Sequence, residues 1–160
     1  MKNNLFAAAL SVLAMLALPG VSQADGLSTQ DYIEIEQLYA AYNIAIDTNE
    51  PEAWANTFTA DGVFMNYTGH DALAGFVKAW HERMGGGTRR HWNSNLRITG
   101  DAAKAQGMVY LMLIDTAGKT IFSTGMYKDD LVKTPQGWRF AKRNIVRDAG
   151  PAAPAQQQPK

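Results

Sequence analysis

The chain contains no cysteine. That excludes disulfides, thiolate nucleophiles and cysteine-ligated metal centres at once, so packing alone must hold the fold. Nor does either charge prevail, since 15 Lys and Arg stand against 15 Asp and Glu. The only basic cluster is Arg89 and Arg90 beside His91, too little to track a phosphate backbone, and nucleic acid is not an expected partner. No glycine-rich phosphate loop follows a strand and no serine-centred elbow occurs. Gly85-Gly86-Gly87 reads as a hinge before a strand rather than a nucleotide cradle. Histidine is scarce at three residues. His70 in a turn and His81 on a helix lack the i, i+4 pairing of zinc motifs, so neither metal nor cofactor is expected.

Long apolar runs are also missing, with one exception at the amino terminus. Leu5 to Leu18 is apolar but well short of the roughly 20 residues that span a bilayer. Lys2 precedes it, Pro19-Gly20 breaks it, and Ser22-Gln23-Ala24 ends in a small residue. Residues 1–24 therefore read as a secretory signal peptide cut after Ala24, which predicts a periplasmic or secreted protein with no membrane contact after cleavage. At the other end, PAAPAQQQPK from Pro151 to Lys160 offers no large apolar side chain to repay ordering, and 149–160 is predicted to be a disordered tail. Residues 25–148 remain as one domain of ordinary size without internal repeats.

Within that domain, Ile35, Leu38, Tyr39, Tyr42 and Ile46 recur at helical spacing. Ser28 and Asp31 form a plausible capping pair, and the helix stops near Asn49 with Pro51 beyond. A short second helix is predicted over Pro51 to Phe58, starting on proline where a missing N–H costs nothing. Gly62 to Tyr67 reads as a strand with Val63, Met65 and Tyr67 on one side and Phe64 and Asn66 on the other. A third helix, Asp71 to Met84, presents Leu73, Phe76, Val77 and Trp80. Four strands follow, about Arg89–Thr99, Ala103–Asp115, Thr120–Val132 and Trp138–Arg147. The turns at Gly100-Asp101, Ala117-Gly118 and Pro135-Gln136-Gly137 are short, which implies antiparallel neighbours. The class is α+β, a curved sheet with helices covering one face.

Three side chains from separate elements suggest proton transfer. Asp47 lies on the flank of the first helix with Tyr39 and Asn43, Tyr67 lies on a strand, and His91 lies on another. Taking a proton from carbon beside a carbonyl needs a base, His91 or Asp47, while the oxygen that gains charge needs a donor such as Tyr67. A low-dielectric pocket raises a carboxyl pKa and lowers that of an imidazole, so one cavity can hold an acid and a base near neutrality. His91, Asn93 and Asn95 alternate as if one polar strand face were sheltered, opposite Trp92, Leu96 and Ile98, and Asn95 could orient the imidazole. Tyr39, Tyr42 and Asn43 are candidate wall residues. Each has a plainer reading: Asp47 as a helix terminator, the tyrosines as core.

The element order, the phrase Ile46-Asp47-Thr48-Asn49-Glu50-Pro51-Glu52-Ala53-Trp54, then Thr59-Ala60-Asp61-Gly62-Val63-Phe64, then His91 with Asn95 and Gly100-Asp101-Ala102-Ala103, together resemble the SnoaL-like branch of the nuclear transport factor 2-like superfamily. The resemblance covers about Ser28 to Asp148. It implies a cone-shaped barrel, a curved, mostly antiparallel sheet wrapped around about three N-terminal helices, with a deep apolar pocket. Relatives include scytalone dehydratase, ketosteroid isomerase, polyketide cyclases and small subunits of ring dioxygenases. In the dehydratase an aspartate ending the first helix, a tyrosine on the first strand and a histidine on the next act around a water molecule, and Asp47, Tyr67 and His91 match those places. A second histidine of that enzyme corresponds by rough registration to Asp115, and its asparagine to Tyr127 or Met126. The resemblance implies a cofactor-independent lyase acting on a small, largely apolar aromatic or polyketide-like substrate. The alternatives are an isomerase using the same carboxylate and a non-catalytic binding or assembly domain. By the same analogy a homodimer or homotrimer is expected.

Overall fold

The structure is a computed structural model that describes residues 26–84 and 88–150. The segment predicted as a signal peptide (1–24), the glycine run predicted as a hinge and residues 151–160 of the predicted tail (149–160) lie outside the described residues. The first helix, α1 (Thr29–Asp47), opens on a reciprocal cap. The Asp31 N–H donates to Ser28 Oγ, and the Ser28 N–H donates to the Asp31 carboxylate at 3.0 Å, so two end donors are satisfied locally. The predicted stripe is the buried one: Ile35, Leu38, Tyr39, Tyr42 and Ile46 are all in the core. Asp47 closes the helix and is itself buried. Pro51 starts α2 (Pro51–Ala55), shorter than expected, which sinks Trp54 into the core.

The next segment departs from expectation. Instead of one strand through Tyr67, the chain forms β1 (Phe58–Phe64), turns at Met65-Asn66 and returns as the two-residue β2 (Tyr67–Thr68). Met65 takes φ 55°, a left-handed conformation that reverses the chain. Phe64 and Tyr67 become cross-strand partners. Rather than lying on opposite faces they share one, and both rings pack 5.0 Å from Phe76. That phenylalanine belongs to α3 (His70–Arg83), which buries Leu73, Val77 and Trp80.

Four long strands complete the sheet: β3 (Arg89–Gly100), β4 (Lys104–Asp115), β5 (Thr120–Thr134) and β6 (Gly137–Arg147). They form an antiparallel meander, and the full order is β2-β1-β6-β5-β4-β3, with only the β1–β6 pair parallel. The helices fill the concave side, giving the α+β cone. A β-bulge between Ser94 and Arg97 corrects the predicted alternation of β3: Asn95 at φ 58° absorbs an extra residue. The face therefore switches parity, so that His91 and Asn93 point inward before the bulge and Leu96 and Ile98 after it. Trp92 is left 63% exposed on the outer face.

Tyr42 sits at the centre of the core, with its ring within 5.1–6.4 Å of Trp54, Phe58, Phe64, Tyr127 and Phe140. Each buried phenylalanine of such a cluster contributes about 1.5–3 kcal/mol. Among these rings lies a charge pair that the sequence reading did not assign. Arg143 donates from Nε and Nη2 to the two oxygens of Asp129 at 2.8 and 2.7 Å, and both side chains are fully buried. The Tyr39 hydroxyl donates to the same carboxylate, and Phe140 and Tyr42 stack on the guanidinium at 3.9 and 4.2 Å. Burial opposes the charged guanidinium, but the Asp129 carboxylate outweighs it and raises the Arg143 pKa above its ordinary value. Gly107 is needed for this arrangement, because a Cβ there would stand 2.1 Å from the Tyr39 hydroxyl. Among the described residues no helix is long and apolar enough to cross a membrane.

Candidate active site

A cavity of about 260 Å³ opens between α1, β2, α3 and the concave face of the sheet. Apolar side chains, including Ile46, Phe64, Phe76, Trp80, Leu111 and Leu113, outnumber the polar ones in its lining. His91 and Tyr67 line it from different elements. Asp47 stands behind His91. Its Oδ1 accepts from His91 Nδ1 at 2.6 Å and its Oδ2 accepts from the His91 backbone N–H at 3.0 Å. The carboxylate thus grips both the main chain and the ring of one residue. The paired side chains are only 8% and 5% exposed, so water competes little for the contact. A proton on Nδ1 is what this bond requires, which leaves Nε2 as the basic nitrogen of a ring that faces the cavity.

The local reasons are concrete. Asp47 comes about one helical turn after Asn43, on the flank that meets β3. The N–H of His81 on α3 donates to the Ile46 carbonyl, tying α3 to the end of α1 beside Asp47. Trp80 then lies with its ring 5.6 Å from His91, shielding the imidazole on one side. His81 was visible in the sequence only as a doubtful metal ligand; its role here is structural, and nothing in its spacing pointed to Ile46. Among the described residues no group of three or more His, Cys, Asp or Glu is placed to hold a metal ion.

The other predicted residues divide. Tyr127 reaches the cavity from β5, as does Tyr42 from α1. Burial pushes the Tyr127 hydroxyl up to about 12, which keeps it a neutral donor at any ordinary pH. Tyr39, Asn43 and Asn95 do not reach this cavity. They line a separate depression between α1 and β3, where Asn43 Nδ2 donates to Asn93 Oδ1 at 2.6 Å. The bulge at Asn95 removes it from the His91 face, so Asp47 rather than Asn95 orients the ring. Asp115 is displaced as well: β3–β4 register sets it opposite Arg89, and the two pair at 2.8 Å at the sheet end. It does not line the cavity, contrary to its expected place at the position of the dehydratase's second histidine. Missed altogether were Arg83 and Met84 at the end of α3 and Phe122, Ser123 and Arg147 on the adjoining strand ends, all of which line the cavity. A Phe76–Trp80–Met84 stripe at i, i+4 was legible; the strand-end residues carried no signal.

A cone of α+β architecture with a carboxylate-supported imidazole on the wall of an apolar cavity defines a class of small pocket-forming domains. The SnoaL-like domain profile matches residues 28–144, and the chain belongs to that family. The uncharacterized protein Rv2910c of Mycobacterium tuberculosis is 28% identical over 125 residues, 71% of this chain and 82% of that protein. Among solved structures, a variant of Rv3472, a protein of unknown function from Mycobacterium tuberculosis, is 31% identical with a TM-score of 0.67, covering 74% of this chain and 72% of that one. A candidate scytalone dehydratase from Novosphingobium aromaticivorans DSM 12444 is 25% identical with a TM-score of 0.62, covering 76% and 89%. A protein from Catenulispora acidiphila, solved in complex with S-DNPA, is 27% identical with a TM-score of 0.66, covering 75% and 95%.

Proposed function

We propose that this protein is a cofactor-independent lyase of the dehydratase type, acting on a small aromatic or polyketide-like hydroxy ketone. The observation that carries the reading is His91: its Nδ1 is held at 2.6 Å by Asp47 while its ring lines an apolar cavity shared with Tyr67. In this reading Nε2 takes a proton from carbon next to the substrate carbonyl, and Tyr67 donates a hydrogen bond to the oxygen that gains charge. The neighbouring C–O bond then breaks as the carbon–carbon double bond forms. The leaving hydroxide takes the proton back from the imidazolium and departs as water. Asp47 stabilises the imidazolium and keeps the ring aimed, without touching the substrate. The likeness to a candidate scytalone dehydratase supports the same chemistry. The leader-like sequence of residues 1–24 supports placing it in the periplasm or outside the cell.

The test is a panel of hydroxylated aromatic ketones, read by mass spectrometry for loss of one water; an isomerase would leave the mass unchanged. His91→Asn keeps a donor towards Asp47 but removes the base. It should lower turnover by roughly 100- to 10,000-fold, the usual contribution of a positioned acid–base group, with the circular dichroism spectrum unchanged. A fully active His91→Asn protein overturns the assignment.

A further inference from the structure

The charge on the cavity wall has not been used by the proposed chemistry. Two guanidiniums, Arg83 at the end of α3 and Arg147 at the end of β6, line the cavity, and among the described residues no Asp or Glu does. Among the described residues neither arginine has a carboxylate partner; Arg147 only donates from Nη1 to Ser123 Oγ at 3.2 Å. The contrast with the other arginines nearby is informative. Arg143 is neutralised by Asp129 and Arg89 by Asp115, while Arg89 also stacks 4.4 Å from the Phe122 ring at the cavity rim. The molecule therefore pairs its cations on either side of this cavity and leaves two of them uncancelled at the cavity itself. Both are solvent-exposed, so their charge is accessible to an incoming ligand.

Like charges converging on one apolar mouth repel each other, and a cleft lined by one sign concentrates ligands of the opposite sign. Arginine presents a planar fork of donors that matches a carboxylate. We propose that the ligand of this cavity is an aromatic acid, its ring body against the Phe64, Phe76 and Trp80 side and its carboxylate held at the Arg83–Arg147 rim. The inference rests on the reading of this cavity as the substrate site and names its substrate class: a hydroxy ketone that carries an acidic arm. Arg83 and Arg147 are then binding and orienting residues, distinct from the groups that move the proton.

The experiment compares two probes of nearly equal shape, 1-naphthaleneacetate and its neutral amide 1-naphthaleneacetamide, by isothermal titration calorimetry at pH 7 and low salt. The wild type should bind the acid roughly three- to tenfold more tightly than the amide, the scale that one or two partly exposed ion pairs supply. The preference should shrink at high salt, because exposed charges are screened. It should vanish in the R83Q/R147Q variant and survive in R83K/R147K, which retains the charge. Equal affinities in the wild type, binding of neither probe, or a preference that persists in R83Q/R147Q would each overturn the proposal. Turnover is not read here, so failure leaves the His91 chemistry standing. Conversely, activity that persists in His91→Asn leaves the charge preference standing.

Discussion

Replacing Asp47 by Asn tests the grip on His91 with the smallest possible change of shape. The carboxylate receives two bonds from one residue, ring Nδ1 at 2.6 Å and main-chain N–H at 3.0 Å. The amide has one acceptor oxygen, so one of these donors must face an NH₂ group. Hydrogen bonds to a charged partner contribute about 1.5–3 kcal/mol each. With only 8% of the Asp47 side chain exposed, water replaces little of the lost bond, so a destabilisation of about 1.5–3 kcal/mol is expected. Urea unfolding at pH 7 should show it as a lower midpoint with an unchanged m value. A double-mutant cycle with His91→Asn should return a coupling energy of about 0.5–3 kcal/mol. Because Asp47 lies behind the imidazole and not on the cavity wall, kcat should fall while KM holds, a split that a merely structural residue would not produce. A destabilisation below about 0.5 kcal/mol, within the range of neutral surface changes, together with an intact kcat, would refute the positioning role.

Two further outcomes follow from the core and the cap. Asp129→Asn strips Arg143 of its counter-charge in a site with no exposure and should cost about 3–5 kcal/mol, as removal of one partner of a buried pair does; a change under about 1 kcal/mol in chemical denaturation would contradict the account. Asp31 receives Lys133 Nζ at 2.7 Å and Trp138 Nε1 at 2.9 Å besides its cap, and the Lys133 bond, followed by Ser28 and Trp138, holds its carboxyl well below the ordinary range. A depressed folded-state pKa stabilises above the unfolded value, about 3.9, and that stabilisation erodes as the pH falls towards the folded value. The stability gap between wild type and Asp31→Asn should therefore be constant from about pH 5 to 8 and narrow below about pH 4; a gap that widens on acidification would reverse the sign.

The cavity also clarifies a tension between chemistry and stability. Asp47 and His91 place a carboxylate and an imidazole in a poorly solvated spot, yet each is satisfied by the other and neither strands a lone charge. The same holds deeper down, where Asp129 takes up Arg143 and Tyr39. Among the described residues, the buried Trp54 Nε1 and Arg143 Nη1 have no hydrogen-bond partner. Unsatisfied donors of this kind cost stability.

Much of the fold was decided by short-range pattern. The Ser28–Asp31 cap, the stripe from Ile35 to Ile46, Pro51 at the start of α2 and the turn residues between the last four strands each act over a few positions, so their sequence neighbours suffice to read them. The candidate site was legible only in part. Asp47 and His91 lie 44 residues apart, and their meeting depends on the angle between α1 and β3, which no local periodicity encodes. One left-handed residue at Met65 moved Tyr67 onto a new strand, and one bulge at Asn95 reversed the parity of β3; in a lattice with a side-chain period of two, a single extra residue exchanges inside for outside. The Arg143–Asp129 pair and the Arg83–Arg147 rim arise the same way, from strand register and helix ends brought together by packing. Composition and periodicity determined which elements form and which faces they bury. Tertiary structure alone decided which charged groups meet, because charge pairing is set by distances across the core and not by spacing along the chain.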